Sequence, residues 1–594
     1  MQQPLLQVNN LSINFIADGK TSCAVKKSSF SIMKGEIVAI VGESGSGKSV
    51  TALSLMQLLP AQTKISGELL FFKEDKTAVD LLLLSQKEIN KFRGKDIAMI
   101  FQEPMVSLNP VLTCGYQVME AIQLHQQVSR KIARQKTIDL FEKVDLPNPA
   151  EMVDRYPHQL SGGQKQRVMI AMAICCNPSL LIADEPTTAL DVTVQKTILQ
   201  LIKLLQQQSG MGVIFITHDL GLVADIADRI VVMYKGKILE QGLTKDVFKN
   251  PQHAYTRALL ACRPSIHKKG ERLPIVSDFY KEDSKELSIK SAVILTTATP
   301  IISTIQPDKN SPFLKEKQTF EIEKINTNIA LEVKDLKVYY PVKKTSIFGP
   351  VPAPFKAVDE ISFNVNKGET IGLVGESGCG KTTVGRAILQ LVPITAGNII
   401  LEGRDLATLS KKQLQISRKD LQIVFQDPYG SLNPSLMIGD AIKEPMMVHG
   451  IEKNNKARKE KVIDLLEKVN LSADLYNRYP HQFSGGQRQR ICIARALSLN
   501  PRFLIFDESV SALDVSVQAQ VLNLLGDLKT EFKFTSIFIS HDLSVVRYCC
   551  DRILVMHKGK IIEEGIAEEI YESPKMEYTK KLIDAVPGKK IFSL

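Results

Sequence analysis

No stretch of this chain reaches the roughly 18–20 apolar residues that a membrane-spanning helix needs. The longest candidates are cut by charge, proline or glycine. The opening MQQPLLQVNNLSINF lacks a basic region followed by an apolar one, so a secretory leader is not expected. Whatever the protein does at a membrane, it is expected to do from outside the bilayer. Nine cysteines, an odd number, show no CxxC spacing of a zinc ribbon or redox motif. Cys175–Cys176 and Cys549–Cys550 fall inside apolar segments and read as small core residues, which fits a reducing cytoplasm. Basic clusters are scarce too. The 75 lysines and arginines outnumber 64 acidic residues, giving +11, yet they are dispersed, with short runs such as Lys268–Lys269 and Lys411–Lys412. A basic balance can favour nucleic acid or an anionic membrane surface. Without a basic stripe, nucleic acid is not expected as a partner.

What the chain does hold is a duplication, and this must be recognised before anything else is read. GESGSGKS at Gly42–Ser49 returns as GESGCGKT at Gly375–Thr382. Each copy is followed by Phe-Gln-acidic-Pro, Ser-Gly-Gly-Gln, an apolar run ending Asp-Glu, Leu-Asp, and Ser/Thr-His-Asp. Ser161 recurs as Ser484, Asp184 as Asp507 and His218 as His541, each displaced by 323 residues. A chain of 594 residues has room for two domains of this size. Residues 1–262 form the first module and 329–594 the second; residues 263–328, rich in Lys, Glu, Ser, Thr and Pro, read as a mostly irregular tether. Within the tether, SAVILTTATPIIST is apolar but short and broken by proline, so it is expected to pack on a module.

In each module a β-type run, EIVAIVG or ETIGLVG, leads into the glycine-rich loop, and a helical stretch follows that is expected to end at Pro60 or Pro393. That context makes a phosphate loop. Gly42, Gly45 and Gly47, and Gly375, Gly378 and Gly380, let successive N–H groups converge on phosphate oxygens at a helix N-terminus. The loops also contain Glu43, Ser44 and Ser46, and Glu376, Ser377 and Cys379; position 46/379 contributes mainly its N–H, so serine and cysteine are equivalent there. Lys48 and Lys381 are expected to reach the β- and γ-phosphates, and the Ser49 and Thr382 hydroxyls to ligate Mg²⁺. The runs SLLIADE and RFLIFDE read as buried parallel strands, as do GVIFIT and TSIFIS. Asp184 and Asp507 end such strands, where a carboxylate can hold the metal through water. Glu185 and Glu508 come next, where a carboxylate can polarise an attacking water. Ser161, Gly162, Gly163 and Gln164, and Ser484, Gly485, Gly486 and Gln487, open apolar helices as a second phosphate-binding N-terminus. One module offers no further place for a nucleotide, so each such helix is expected to face the other module's ATP. Strands alternating with helices predict an α/β fold with a parallel core, interrupted from Gln102 to Cys176 by a helical insertion. Nine additional residues in copy one fall in KEDKTAVDLLLLSQK and predict a longer surface excursion.

On these residues the chain resembles the ATP-binding-cassette ATPases over nearly everything outside the tether. The resemblance implies two tandem P-loop NTPase domains, each with a RecA-like core, an antiparallel β subdomain and an inserted helical subdomain. It makes Gln102 and Gln426 the Q-loop glutamines, which also approach the metal; Leu160–Gln164 and Phe483–Gln487 the signatures; and Ala189-Leu190-Asp191 and Ala512-Leu513-Asp514 the D-loops. His218 and His541 become the switch histidines, and Phe15 and Tyr340 the best-aligned adenine-stacking aromatics. Copy two departs by reading Asp-Glu-Ser-Val for Asp-Glu-Pro-Thr, but it keeps Glu508.

IAMIFQEPMVSLNP, RYPHQLSGGQ, SALDVSVQAQVLNLL and the tails PQHAYTRALL and PKMEYTKKLI resemble the dipeptide, oligopeptide and nickel importer branch. This implies ATP and Mg²⁺ as cofactors and two permease subunits as partners, with an extracytoplasmic solute-binding protein reached indirectly. It places the chain on the cytoplasmic face of a bacterial inner membrane, driving uptake of a peptide such as glutathione. Only Cys262 lies in the first tail, so no iron–sulfur cluster is expected. The alternatives are nickel or another peptide-like solute, or a soluble tandem cassette acting on ribosomes or DNA. Repair-type members would show CxxC elements or long heptads, and neither is present.

Overall fold

The computed structural model describes residues 3–17, 19–73, 75, 77–102, 107–188, 190–280, 329–342, 353–511 and 513–589. Each phosphate loop leaves a short central strand, Ile37–Val41 or Thr370–Val374, every residue of which is buried. Burial on both faces selects continuous apolar runs rather than alternation. In cassette one the six-stranded sheet runs Lys237–Leu243, Arg229–Tyr234, Ile37–Val41, Gly212–Thr217, Leu180–Asp184, Ile97–Ile100. All neighbours are parallel except the outermost pair, Lys237–Leu243 with Arg229–Tyr234. Cassette two repeats the order with Lys560–Ile566, Arg552–His557, Thr370–Val374, Thr535–Ser540, Phe503–Asp507 and Leu421–Val424. In open α/β sheets, ligands gather beyond the carboxyl ends of the strands. The loops, both Asp-Glu pairs and both histidines lie at that edge.

A second, four-stranded antiparallel sheet flanks each core: Lys20–Ile32, Leu6–Ala17, Thr63–Phe72 and Ala78–Asp80, and its counterpart Phe355–Asn366, Ile329–Tyr340, Ala396–Leu401 and Arg404–Asp405. The nine-residue surplus of copy one falls at the fourth strand, which has three residues against two in copy two. The insertion is helical as predicted, with Cys114–Gln126, Arg130–Lys143 and the signature helix Gly162–Ile174 matched by Ile438–Val448, Asn455–Lys468 and Gly485–Leu497.

Two expectations need correction. The phosphate-loop helices end at Leu55 and Ile388, before the prolines. Gln57 and Gln390 adopt left-handed φ of 49° and 52°, and Leu58 N–H and Leu391 N–H reach back to Leu53 and Arg386 carbonyls at 3.0 and 2.8 Å. This is a Schellman stop built on glutamine instead of glycine. The tether also begins later than expected, because residues 263–280 carry a 3₁₀ turn, Pro264–Ile266, and a helical turn, Val276–Phe279. Leu273 and Val276 join one apolar core with Tyr255 and Cys262 of the first cassette and Leu543, Val546 and Val586 of the second. SAVILTTATPIIST lies outside the described residues. Among the described residues, no helix is long and apolar enough to cross a membrane.

Candidate functional site

The phosphate loops are built from backbone that only glycine accommodates. Gly42 and Gly375 both sit at φ 153°, and a Cβ on either would come within 2.1 or 2.2 Å of the Met233 or Met556 carbonyl. Lys48 Nζ donates to the Gly42 and Glu43 carbonyls at 2.7 and 3.0 Å, and Lys381 Nζ does the same to Gly375 and Glu376 at 2.8 and 3.0 Å. Each ammonium is thereby parked over its own loop. Burial lowers the Lys48 pKa, opposed by Glu185, Asp514 and Asp184.

Ser49 Oγ donates to Asp184 Oδ1, and Thr382 Oγ1 to Asp507 Oδ1, each at 3.0 Å. A hydroxyl and a carboxylate so close to a phosphate loop fit a hard divalent cation that takes its other oxygens from phosphate and water. Among the described residues no cluster of three His, Cys, Asp or Glu side chains forms a cage, so the protein alone offers few ligands. Burial is the main reason the Asp184 carboxyl rises to about 6; neighbouring Glu185 adds to the rise and Ser49 opposes it. Asp507 rises for the same reasons. A cation at this position would favour the ionised form.

The neighbouring glutamates behave oppositely. Burial pushes Glu185 up, but His218 and Lys48 outweigh it and hold the carboxyl at about 2. Glu508 is lowered by His541 and Lys381 against the same opposition. Glu185 takes His218 Nδ1 at 3.2 Å, Gln102 Nε2 at 3.1 Å and Thr188 Oγ1 at 2.9 Å. Glu508 takes His541 Nδ1 at 3.3 Å and Gln426 Nε2 at 2.9 Å. Both glutamates stand at positive φ, 46° and 47°, a strained conformation for a residue with a side chain. Both backbones are pinned there by N–H bonds to the Ile216 and Ile539 carbonyls.

Ser161 and Ser484 cap their helices in capping boxes with Gln164 and Gln487. Gly163 and Gly486 leave room for Val194 and Val517, whose methyls would lie 2.7 and 2.3 Å from an added Cβ. Gly485 faces open space, and Gly162 nearly so. One set of contacts between the cassettes falls on the phosphate loops. Asp514 Oδ2 accepts from Ser44 N–H at 3.0 Å, and Asp191 Oδ2 from Ser377 N–H at 3.3 Å. Thr193 Oγ1 donates to Glu376 Oε1 at 2.9 Å, and Ser516 Oγ to Glu43 Oε1. Ala189 and Ala512 lie outside the described residues. Phe15 is half-buried near the end of its strand, opposite Ser22 and Thr63. Tyr340 ends the equivalent strand opposite Phe355 and is exposed.

Sequence reasoning missed one pair. Tyr255 and Tyr578, from the tail helices, accept through their hydroxyls from Glu43 N–H at 3.3 Å and Glu376 N–H at 3.1 Å. Burial raises both phenols, so they remain protonated. The recurrent Tyr-Thr in the two tails was the available signal.

Twice in one chain, a phosphate loop, a strand-end Asp-Glu pair and a histidine turn meet at the carboxyl edge of a parallel sheet, beside a signature helix. That set defines an ATP-hydrolysing P-loop cassette. Residues 25–188 and 358–511 match the ABC transporter family, and residues 239–279 and 562–590 match the C-terminal region of oligopeptide/dipeptide transporters. The glutathione import ATP-binding proteins of Escherichia coli K12 and Shigella sonnei are each 47% identical over 585 residues, 98% of this chain and 89% of theirs. That of Pectobacterium atrosepticum is 44% identical over 589 residues, 99% of this chain and 90% of its own. The chain belongs to the ABC transporter family as a two-cassette ATP-binding protein.

Proposed function

We propose that this protein is the ATPase subunit of an importer for small peptides, with glutathione as its first-choice solute. The observation that carries this reading is the 47% identity to glutathione import ATP-binding proteins over 98% of the chain. An oligopeptide/dipeptide transporter tail after each cassette supports it. The chain docks peripherally, on the cytoplasmic face of a bacterial inner membrane, against two permease subunits that receive solute from an extracytoplasmic binding protein. Tyr429 suits permease docking: it follows the second Q-loop glutamine, is 66% exposed, and stacks on the Arg488 guanidinium at 3.5 Å.

The two ATP sites are shared between cassettes. Site one joins Lys48, Ser49, Gln102, Asp184, Glu185 and His218 to Ser484–Gln487; site two joins Lys381, Thr382, Gln426, Asp507, Glu508 and His541 to Ser161–Gln164. The Asp514–Ser44 and Asp191–Ser377 bonds support this pairing, since each carries one cassette to the other's phosphate loop. Glu185 and Glu508 accept a proton from the attacking water, and the histidines fix their orientation. Ser49 with Asp184, and Thr382 with Asp507, would hold Mg²⁺, which when bound would supply Lewis-acid charge. Phe15 and Tyr340 offer the adenine a ring. ATP acts as a ligand preferring the closed pair, because only there are its phosphates gripped from both sides.

Uptake tests the proposal. With its permeases and receptor, the chain should support ATP-dependent entry of labelled glutathione, and a Glu185→Gln/Glu508→Gln variant should support none. Entry of another dipeptide or of nickel, without glutathione, would reassign the solute. Failure to sediment with permease-bearing membranes would overturn the importer reading.

A further inference from the structure

Beyond the phosphate loops, the cassettes meet through their tails, and each tail crosses to the other cassette. Leu273 N–H donates to Asn523 Oδ1 at 2.9 Å, Asn523 Nδ2 returns a bond to the Leu273 carbonyl at 2.8 Å, and Tyr548 OH donates to the Glu271 carbonyl at 2.6 Å. In the other direction, Gly588 N–H donates to Asp225 Oδ2 at 3.1 Å, and Lys196 Nζ to the Asp584 carbonyl at 2.9 Å. Where the tails pass each other sits Arg263, only 6% exposed, donating through Nη2 to the Pro587 carbonyl at 3.2 Å.

This arginine lies behind both histidine turns. An atom added at Gly221, three residues after His218, would lie 2.6 Å from Arg263 Nη2, 2.7 Å from the Pro587 carbonyl and 3.0 Å from Asp219 Oδ1. On the other side, the turn Pro264–Ile266 that continues from Arg263 packs against helix Leu543–Cys549. The cap of that helix is Asp542, next to His541, which accepts from Ser544 and Val545 N–H. Asp219 caps the matching helix through Gly221 N–H at 2.7 Å. Asp225 stands on that first helix as well.

We propose that Arg263 is a positioning residue for both hydrolytic sites: its guanidinium braces the Asp219 turn behind His218 and the Asp542 turn behind His541, so two histidine–glutamate pairs share one brace. Arg263 is the buried member of the set, and a buried guanidinium needs carboxylates beside it, here the half-buried Asp219 and Asp542 and the more exposed Asp225. Burial works against the arginine's charge, while Asp219, Asp542 and Asp225 sustain it. Separating the cassettes would divide this set, so the brace favours the closed pair. It is also single, because the corresponding position in cassette two is Val586.

The inference rests on Glu185 and Glu508 being the hydrolytic bases, so the Glu185→Gln/Glu508→Gln variant serves as control; continued turnover there would fail that assignment and not the brace. In the full chain with ATP and Mg²⁺, Arg263→Gln should lower kcat about tenfold with KM for ATP changed less than about twofold. Arg263→Lys, which keeps the charge but not the fork, should fall between this variant and the parent. A change made in cassette two should also be felt in site one. With site two silenced by Glu508→Gln, Asp542→Asn keeps a competent helix cap but should reduce the remaining turnover severalfold, and this arm decides the matter should Arg263→Gln not fold. Parental kcat in folded Arg263→Gln, Lys no better than Gln, or unchanged site-one turnover in Asp542→Asn would each overturn the proposal.

Discussion

The two cassettes share their sheets, phosphate loops and histidine turns, yet differ three residues past the glutamate of the Asp-Glu turn, where Thr188 stands against Ser511. In cassette one, Thr188 gives its hydroxyl to the Glu185 carboxylate at 2.9 Å. In cassette two the matching Ser511 turns to the Glu508 backbone carbonyl at 2.9 Å, leaving that carboxylate to Gln426 and His541. Threonine's branched Cβ restricts χ1, whereas serine rotates freely to the local backbone acceptor. One site therefore holds its base with three side-chain donors and the other with two. Copies of one architecture can thus differ in how firmly they orient the same carboxylate.

The comparison breaks most severely if both bases are removed. Glu185→Gln with Glu508→Gln should cut ATP turnover by about 10²–10⁴ while ATP binding persists, the range general-base loss gives. Each single variant then reports what the other site contributes, and steady-state hydrolysis with a nucleotide-binding assay checks all three. Next is the shared-site pairing. Ser484→Arg, read in a Lys381→Ala background where only site one turns over, should reduce hydrolysis at least about tenfold by crowding the nucleotide; unchanged hydrolysis would break the pairing.

A smaller change sharpens the contrast. Thr188→Ala should lower turnover about two- to fivefold in a Glu508→Gln background, while Ser511→Ala in a Glu185→Gln background should leave it within about twofold. Stability should follow pH through the same pairs. His218 and His541 are raised above 6.5, so their contribution is whole below that value and fades as pH rises through the raised values. Glu185 is lowered from 4.5 to about 2, so its contribution is whole above 4.5 and is lost as pH falls toward 2. The nucleotide-free protein should therefore be most resistant to heat between pH 4.5 and 6.5 with respect to these pairs. The double Gln variant should flatten that profile by about 2–4 °C, measured by thermal melting. The smallest effect belongs to Cys379→Ser. Ser46 already occupies the equivalent place, buried at 3% exposure, so ATPase should stay within about twofold. Burial raises the Cys379 thiol, and modification by thiol reagents should be slow.

What could be read in advance was what the chain writes locally. Gly42–Ser49, Asp184-Glu185 and His218 each sit in one short string whose strand or helix context is visible, so the parallel core and the composition of the site followed. The helix stops did not, because Gln57 and Gln390 occupy a left-handed position that a sequence reader assigns to glycine. Residues 263–280 look like tether in the sequence because their partners, Asn523, Asp527 and Tyr548, lie about 250 or more residues away. Tyr255 is hidden for a similar reason: its hydroxyl meets a backbone N–H, and backbone partners leave no trace in composition.

The crossed tails have a consequence for how halves recognise each other. Arg272 closes on Asp527 at 2.9 Å and Leu273 on Asn523 at 2.9 Å. At the corresponding places cassette one carries Leu204 and Gln200. Two first halves meeting face to face would set a guanidinium against leucine and lose the asparagine's paired bonds. The handshake thus favours unlike partners, and joining them in one polypeptide delivers every first half together with a surface its tail fits.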